Sequence, residues 1–469
     1  MAENTQVKQL FRDALTGKLN RREVMQRGAA LGLSAAVVGG LAQESMRAAL
    51  AAEEGTLNLT YYNWILDLHS PLTLVNDDFG KTYPLNAEVA PTENFGFSRF
   101  VTEAASQTST YDMYIGVTPF LEMIAMANSG TIEPWDPYLP EGLVDDLQPA
   151  IKDEGTYNGS LYVWPFLLDV IVQGWNSDFV AKAGLDPEVA PKNWDEFLAN
   201  SRKIVESGAA PFGCSFDMHD WRSLLPITHS ISTDVYDPET GLFQYASDAA
   251  VQAVEIMKQM MELTHPDVLN PGTTDGGVNG TPDEGAFAAQ QVAYYIKYQN
   301  AHFRFAGTWP DPKLLRVAAL PVQEGGAGGT VFWTTGAVLF KYGFNKQQAA
   351  DYMNALTHDQ RIWEHSVLGD VSKSETAVGQ LPVYQSVWDE YKATPPQFIT
   401  DNPWATAIWD GLGTAKAIAP TPIAITQFDR ARPEWHKYLN GEESDAKTAM
   451  QKAQDAALAA YNEAATPTA

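Results

Sequence analysis

Aromatic rings and carboxylates are the chemistry-bearing side chains this sequence holds in excess. It has 13 Trp and 19 Tyr, and 58 Asp and Glu against 31 Lys and Arg. A flat ring can stack on the C–H face of a sugar, while carboxylates, amides and hydroxyls take the sugar's rim of hydroxyl groups. An alternating apolar and polar run over 57–62 predicts a strand, and it breaks at Asn63 and Trp64. Trp64 is thus expected as a ring plate on a strand-end loop, with Asn63 beside it and Asp67 as a further acceptor. A second strand-like run, 111–117, ends at Thr118 and Pro119, which offers the Thr118 hydroxyl at another strand end. In open α/β sheets ligands gather beyond the carboxyl ends of strands. Trp135, Trp175 and Trp194 lie inside strand or helix patterns and are expected in the core.

Catalysis finds no comparable support. Carboxylate pairs occur in any chain with 58 acids, and none here sits in a recognised catalytic pattern. There is no G-x-S-x-G, no H-E-x-x-H and no zinc-spaced Cys/His cluster. His219, His229, His358 and His365 read as surface or core residues. The glycines of 325–329 lack the Lys and helix start of a phosphate loop. No cofactor and no metal are expected. The formal net charge of -27 repels nucleic acid and anionic lipid.

The elements that must position these residues follow from length and periodicity. At 469 residues the chain is too long for one ordinary core and fits two lobes. Trp194, Phe197, Leu198, Ser201 and Val205 fall on one helical face, with Asn193 as N-cap and Glu196 three residues on. A second helix is expected over 249–263 and a terminal one over 442–464. Strands alternating with helices make this an α/β chain. The segment 275–285 reads as a loop, and 325–329 as a flexible stretch beside a hinge.

The first fifty residues have the order of an export signal. Basic residues crowd 1–27, an uncharged stretch of small and apolar residues fills 28–42, and Ala49-Leu50-Ala51 offers a small-residue cleavage pattern. The apolar stretch is short for a transmembrane helix of about 20 residues. Arg21-Arg22 resembles the twin-arginine signal, although Asn20 and Met25 replace the residues usual around the pair; ordinary secretion is the alternative. The only cysteine, Cys214, allows no intramolecular disulfide and no lipid at the cleavage region. A free periplasmic monomer is expected.

The segment 153–208 carries a specific resemblance. Tyr157-Asn158-Gly159-Ser160-Leu161-Tyr162-Val163-Trp164-Pro165-Phe166 is followed by Gly174-Trp175-Asn176-Ser177, then Ala183-Gly184-Leu185-Asp186-Pro187 and Asn193-Trp194-Asp195-Glu196-Phe197. Their order resembles the family 1 extracellular solute-binding proteins of ABC importers, the group that includes maltose-binding protein. Further similarity runs through 284–296, 320–336, 346–357 and 379–387. Departures stand at Trp333-Thr334-Thr335, where the family often has glycines, and at Tyr298-Gln299-Asn300, which replaces its Gly-Pro-Trp.

The resemblance implies a two-lobed periplasmic-binding-protein fold of type II, with lobes joined by crossing hinge strands. By analogy, 1–51 is the signal, 52–168 and 334–382 form the first lobe, and 169–333 and 383–469 form the second. It also implies further ligand residues: Trp221 in an aromatic patch, Trp333 and Thr334 at a lobe crossing, and Tyr298 and Asn300 at the second lobe's edge. Asp169 follows the hinge segment, as a sugar-hydroxyl acceptor or as a cap on a neighbouring helix. Asp217 and His219 belong to the same set, and Arg222 either meets ligand or pairs with Asp220. The implied partners are a small polar solute, a sugar or polyol, and an importer permease. A polyamine or organic acid in the same fold, and a secreted carbohydrate-active enzyme, are the competing readings. For a polyamine, Asp67, Asp169 and Asp217 would be direct counter-charges.

Overall fold

The structure is a computed structural model of the chain. It describes residues 10, 21–30, 55–68, 70–90, 97–149, 151–270, 282–323, 328–368, 379–395, 400 and 415–465; for 21, 29, 66–68, 282, 367, 368 and 465 the backbone alone is described. Packing divides the chain into two units. One holds Met1–Leu147, Gly155–Phe166 and Thr335–Ile362, and the other Gln148–Glu154, Leu167–Thr334 and Trp363–Ala469. The sequence reading divides the chain instead at 168, 333 and 382.

The first unit is built on β1 (Leu57–Tyr61), β2 (Leu85–Val89), β3 (Met113–Val117) and β4 (Ile132–Glu133). A hairpin of β5 (Thr156–Tyr157) and β6 (Ser160–Leu161) precedes the long β7 (Val163–Asn176). β1 lies between β2 and β3 and is parallel to both. The hairpin turns at Asn158 and Gly159, whose φ values of 51 and 80° suit a two-residue turn matched to strand twist. β1 departs from the alternating expectation: all five residues are buried, Asn58 and Thr60 included. A parallel strand covered on both faces buries its polar positions too. Asn58 meets this with its backbone N–H, which donates to Asp112 Oδ2 at 2.8 Å. The break at Asn63 opens a helix, Asn63–Leu68, rather than an irregular loop.

The second unit uses β8 (Phe212–Phe216), β9 (Val292–Tyr298), β10 (Leu315–Ala319), β11 (Val331–Phe340), β12 (Leu381–Pro382) and β13 (Lys416–Ala417). Its sheet order is β8-β9-β7-β10, with β8 parallel to β9 and the other pairs antiparallel. β12 pairs with Leu167 and Leu168 of β7, and β13 pairs with Val331 and Phe332 of β11. The C-terminal part of β11, from Thr335, belongs to the first unit, and from Gly336 it runs antiparallel to β3 and β4. Cys214 is fully buried in β8.

Helices follow the expected apolar faces with local shifts. The Trp194–Glu206 helix buries Trp194, Phe197, Leu198, Ser201 and Ile204, so Ile204 takes the place expected of Val205. Asn193 caps it by accepting from Glu196 N–H at 2.8 Å. The helix expected over 249–263 is Asp248–Met261. Of the loop expected over 275–285, residues 282–285 are the start of the helix Pro282–Ala288, and 271–281 lie outside the described residues. The terminal helix begins at Ala446, after a second one, Ala424–Asn440, that ends at Gly441 with φ 82°. Trp135, Trp175 and Trp194 are buried. The arginine pair lies in a helix, Arg21–Ala30, while 31–54, with the expected cleavage point, lie outside the described residues. No described helix is long and apolar enough to cross a membrane.

Candidate functional site

In the first unit, the expected residues stand beyond the carboxyl ends of the adjacent parallel strands β1 and β3. Asn63 is exposed at the start of its helix, where Oδ1 accepts from Trp64 N–H at 2.8 Å. Trp64 is half-buried, its ring edge-on to Tyr62 with centroids 6.3 Å apart. Asp67 falls in the same helix, with its side chain outside the described residues. Thr118 is buried, and its N–H donates to Glu122 Oε2 at 3.0 Å. Burial pushes the Glu122 carboxyl up to about 8, against the opposing effect of that hydrogen bond.

In the second unit, the ends of β8 and β9 and the middle of β7 carry linked groups of polar side chains. Behind β8, Asp217 is 1% exposed and accepts from His219 N–H at 2.7 Å, His219 Nδ1 at 2.6 Å, Arg222 Nη1 at 3.3 Å and Lys297 Nζ. Those four donors match the four acceptor positions of a carboxylate. Asp217, expected to face a ligand, is therefore occupied by the protein. Arg222 pairs with Asp217 rather than Asp220, which instead accepts from Tyr245 Oη, Arg432 Nε and Trp435 Nε1 at 2.7 to 2.9 Å.

Lys297, near the end of β9, also reaches Asp283 at 2.8 Å and Glu284 at 3.2 Å. Burial alone would lower its pKa, but the three carboxylates hold it well above the usual lysine value. Burial and the neighbouring acids raise Asp283.

The aromatic residues expected as plates are largely enclosed. Trp221 is 8% exposed, with His219 at 4.9 Å, Phe428 at 5.4 Å, and the Arg222 and Arg432 guanidinium groups at 5.5 and 5.8 Å from its ring. Its ring faces protein, so it supports Arg222 rather than forming an open platform. Tyr298 stays half-buried: Arg222 sits 5.2 Å from its ring, and Trp333 stands edge-on with centroids 6.0 Å apart. Thr334, on β11, donates its N–H to both oxygens of Glu154 at 2.8 and 3.0 Å. Burial raises Glu154 to about 7.

Asp169 lies on β7 and is ringed by amides. Asn300 Nδ2 donates to Oδ1 at 2.5 Å and Gln299 Nε2 to the same oxygen at 3.3 Å, while Gln380 Nε2 approaches Oδ2 at 3.5 Å. Burial raises its carboxyl to about 6, although those amides and the fields of Arg222 and Arg304 oppose the shift. Among the described residues, Asn300 Oδ1 and the Nε atoms of Arg222 and Arg304 are buried without a hydrogen-bond partner. The structure thus brings Asp169, Asp217, His219, Arg222, Tyr298, Asn300 and Trp333 into linked groups within one unit.

Residues 71–360 match the family described as bacterial extracellular solute-binding protein. The chain belongs to that family. A curated relative from Brucella abortus (strain 2308), designated a binding protein, is 24% identical over 296 residues, 60% of this chain. The match spans 65% of that relative's length. The GacH receptor of Streptomyces glaucescens GLA.O, solved unliganded and with acarbose, is 17% identical with a TM-score of 0.68, over 87% of this chain and 99% of that one. A solute-binding protein of Thermotoga lettingae TMO bound to α-D-tagatose is 18% identical with a TM-score of 0.68, over 87% of this chain and all of that one. These likenesses establish the two-lobed α/β binding-protein fold.

Sequence reasoning passed over several groups this solute-binding chain places beside the expected ones: Lys297, Asp283, Glu284, Glu122, Glu154 and Gln380. The signal for Lys297 was present, since it is a lone charge in the otherwise uncharged strand Val-Ala-Tyr-Tyr-Ile-Lys-Tyr. A lysine there needs buried acids.

Proposed function

We propose that this chain is the exported solute-binding component of an ABC importer, and that its solute is an uncharged polyhydroxylated molecule: a mono- or oligosaccharide or a polyol. The two units correspond to the two lobes of the family's fold. The observation that carries the ligand class is the internal pairing of charge in the second unit. Asp217 is taken up by Lys297, His219 and Arg222, so it has no free charge for a polyamine. Arg222 is likewise matched to an acid, which disfavours an organic anion. Asn300 Oδ1 and Arg222 Nε supply an acceptor and a donor, and the half-buried Tyr298 supplies ring surface, with the buried Trp333 packed edge-on against it. Hydroxyl groups, each able to donate and accept, complement that set. The sugars bound by the Streptomyces and Thermotoga proteins agree with this reading.

Thermal-shift screening of purified protein against sugars, polyols, polyamines, amino acids and organic acids tests it. Stabilisation by sugars or polyols alone supports the proposal, and stabilisation by a charged class alone overturns it. With a sugar hit in hand, Asn300→Ala and Arg222→Ala should each weaken binding about tenfold by calorimetry, equivalent to about 1.4 kcal/mol. Export is proposed to use the arginine pair: Arg21→Lys with Arg22→Lys should abolish periplasmic accumulation, whereas ordinary secretion would leave it intact. The exported protein is proposed to act as a monomer and without catalysis.

A further inference from the structure

The amides around Asp169 are not equivalent. Gln299 is fixed from both ends: its Oε1 accepts from Val170 N–H at 2.5 Å and its Nε2 donates to Leu168 O at 2.8 Å. It thus binds the β7 backbone as a neighbouring strand would and has no freedom to turn over. Asn300, the next residue on the Gln299–Ala306 helix, is 3% exposed and has Asp169 Oδ1 as its hydrogen-bond partner. Its own Oδ1 has no partner among the described residues. An ionised carboxyl only accepts and so demands the Nδ2 end of the amide; a protonated one also donates and is served by the Oδ1 end.

We propose that Asp169 is a positioning residue for Asn300, holding the amide with Oδ1 turned away as an acceptor for solute when the carboxyl is ionised, and with Nδ2 turned away as a donor when it is protonated. The consequence for Asn300 as a solute contact rests on the site reading above; the coupling between the two side chains does not. The groups facing Asp169 are Gln299, Asn300 and Arg304 from the Gln299–Ala306 helix, Gln380 from the segment before β12, and Arg222 from the segment after β8. The two arginines favour ionisation and burial opposes it, leaving the carboxyl at about 6. Both amide orientations are then sampled across a mildly acidic range.

The test uses the full chain without solute. Asp is labelled with 13C at the carboxyl and Asn with 15N at the side chain, and Asn300→Ala identifies the Asn300 amide signal. Between about pH 5 and 7.5 the Asn300 amide pair should shift with a midpoint matching that of the Asp169 carboxyl, near 6. In Asp169→Asn the Asn300 pair should be flat over the same range. An Asn300 signal that stays flat in the native protein, or follows a midpoint other than that of Asp169, overturns the proposal even if Asp169→Asn does not fold. Because no solute is present, that failure leaves the sugar reading standing. Failure of the sugar screen leaves the coupling standing.

Discussion

Lys297 is fully buried on β9, and three acids converge on it. Replacing it by Met would leave Asp217, Asp283 and Glu284 facing one another without a counter-charge. Breaking such a buried group by removing one partner costs about 3–5 kcal/mol. Urea unfolding of Lys297→Met should show that loss at neutral pH and a smaller one in mild acid, where protonation relieves the acids. The sequence displayed the anomaly of a lysine among aromatics and aliphatics, but not its partners. Asp217 is 80 positions away, and periodicity carries no information at that range. The same limit explains why Asp217 read as a ligand contact: its residue type was legible, and its four donors were not.

At the scale of elements, local chemistry was readable where a short pattern determines it. Asn158-Gly159 gives the hairpin turn, and Asn193 gives the cap of the Trp194–Glu206 helix. Asn193→Ala should lower stability by about 1 kcal/mol in chemical denaturation, with Asn193→Asp losing less. The helix Pro282–Ala288 was missed because the glycines and asparagines before it dominated the composition. Its start signals, Pro282 followed by Asp283 and Glu284, were nevertheless present. Close packing of β7 was not readable at all. A Cβ on Gly174 would lie 2.0 Å from His302 Cδ2. Gly174→Ala should therefore destabilise by about 1–3 kcal/mol. Combining it with His302→Ala should give a smaller loss than the sum of the single changes, measured by a double-mutant cycle.

For the whole molecule, the two-unit organisation was legible through length and family resemblance. The placement of buried acids was not. Glu122, Glu154 and Asp169 all have carboxyls raised by burial, to about 8, 7 and 6. A group whose folded pKa exceeds its unfolded one is stabilising when protonated, and that contribution is lost as pH rises through the folded value. Below about pH 6.5, His229, His302 and His436, each lowered by burial to about 4, add stability as pH rises and oppose the carboxyls. The fall is therefore expected from about pH 6.5 to 8, where Glu154 and Glu122 each contribute up to about 1.4 kcal/mol per pH unit in their own windows. The net charge of -27 acts in the same direction, since acid reduces self-repulsion. Melting temperatures measured from about pH 6.5 to 8 should decline, and Glu122→Gln should flatten the upper part of that decline.

Cys214 brings a practical consequence. It is the only thiol in the chain, it is fully buried in β8, and burial pushes it up to about 12. The thiolate is the reactive form, so alkylating reagents meet an almost inert native protein. The wild-type chain is therefore its own cysteine-free background: a pair of cysteines introduced at exposed positions would take fluorophores selectively, and the slow modification of Cys214 itself would time the opening of β8 in the native state.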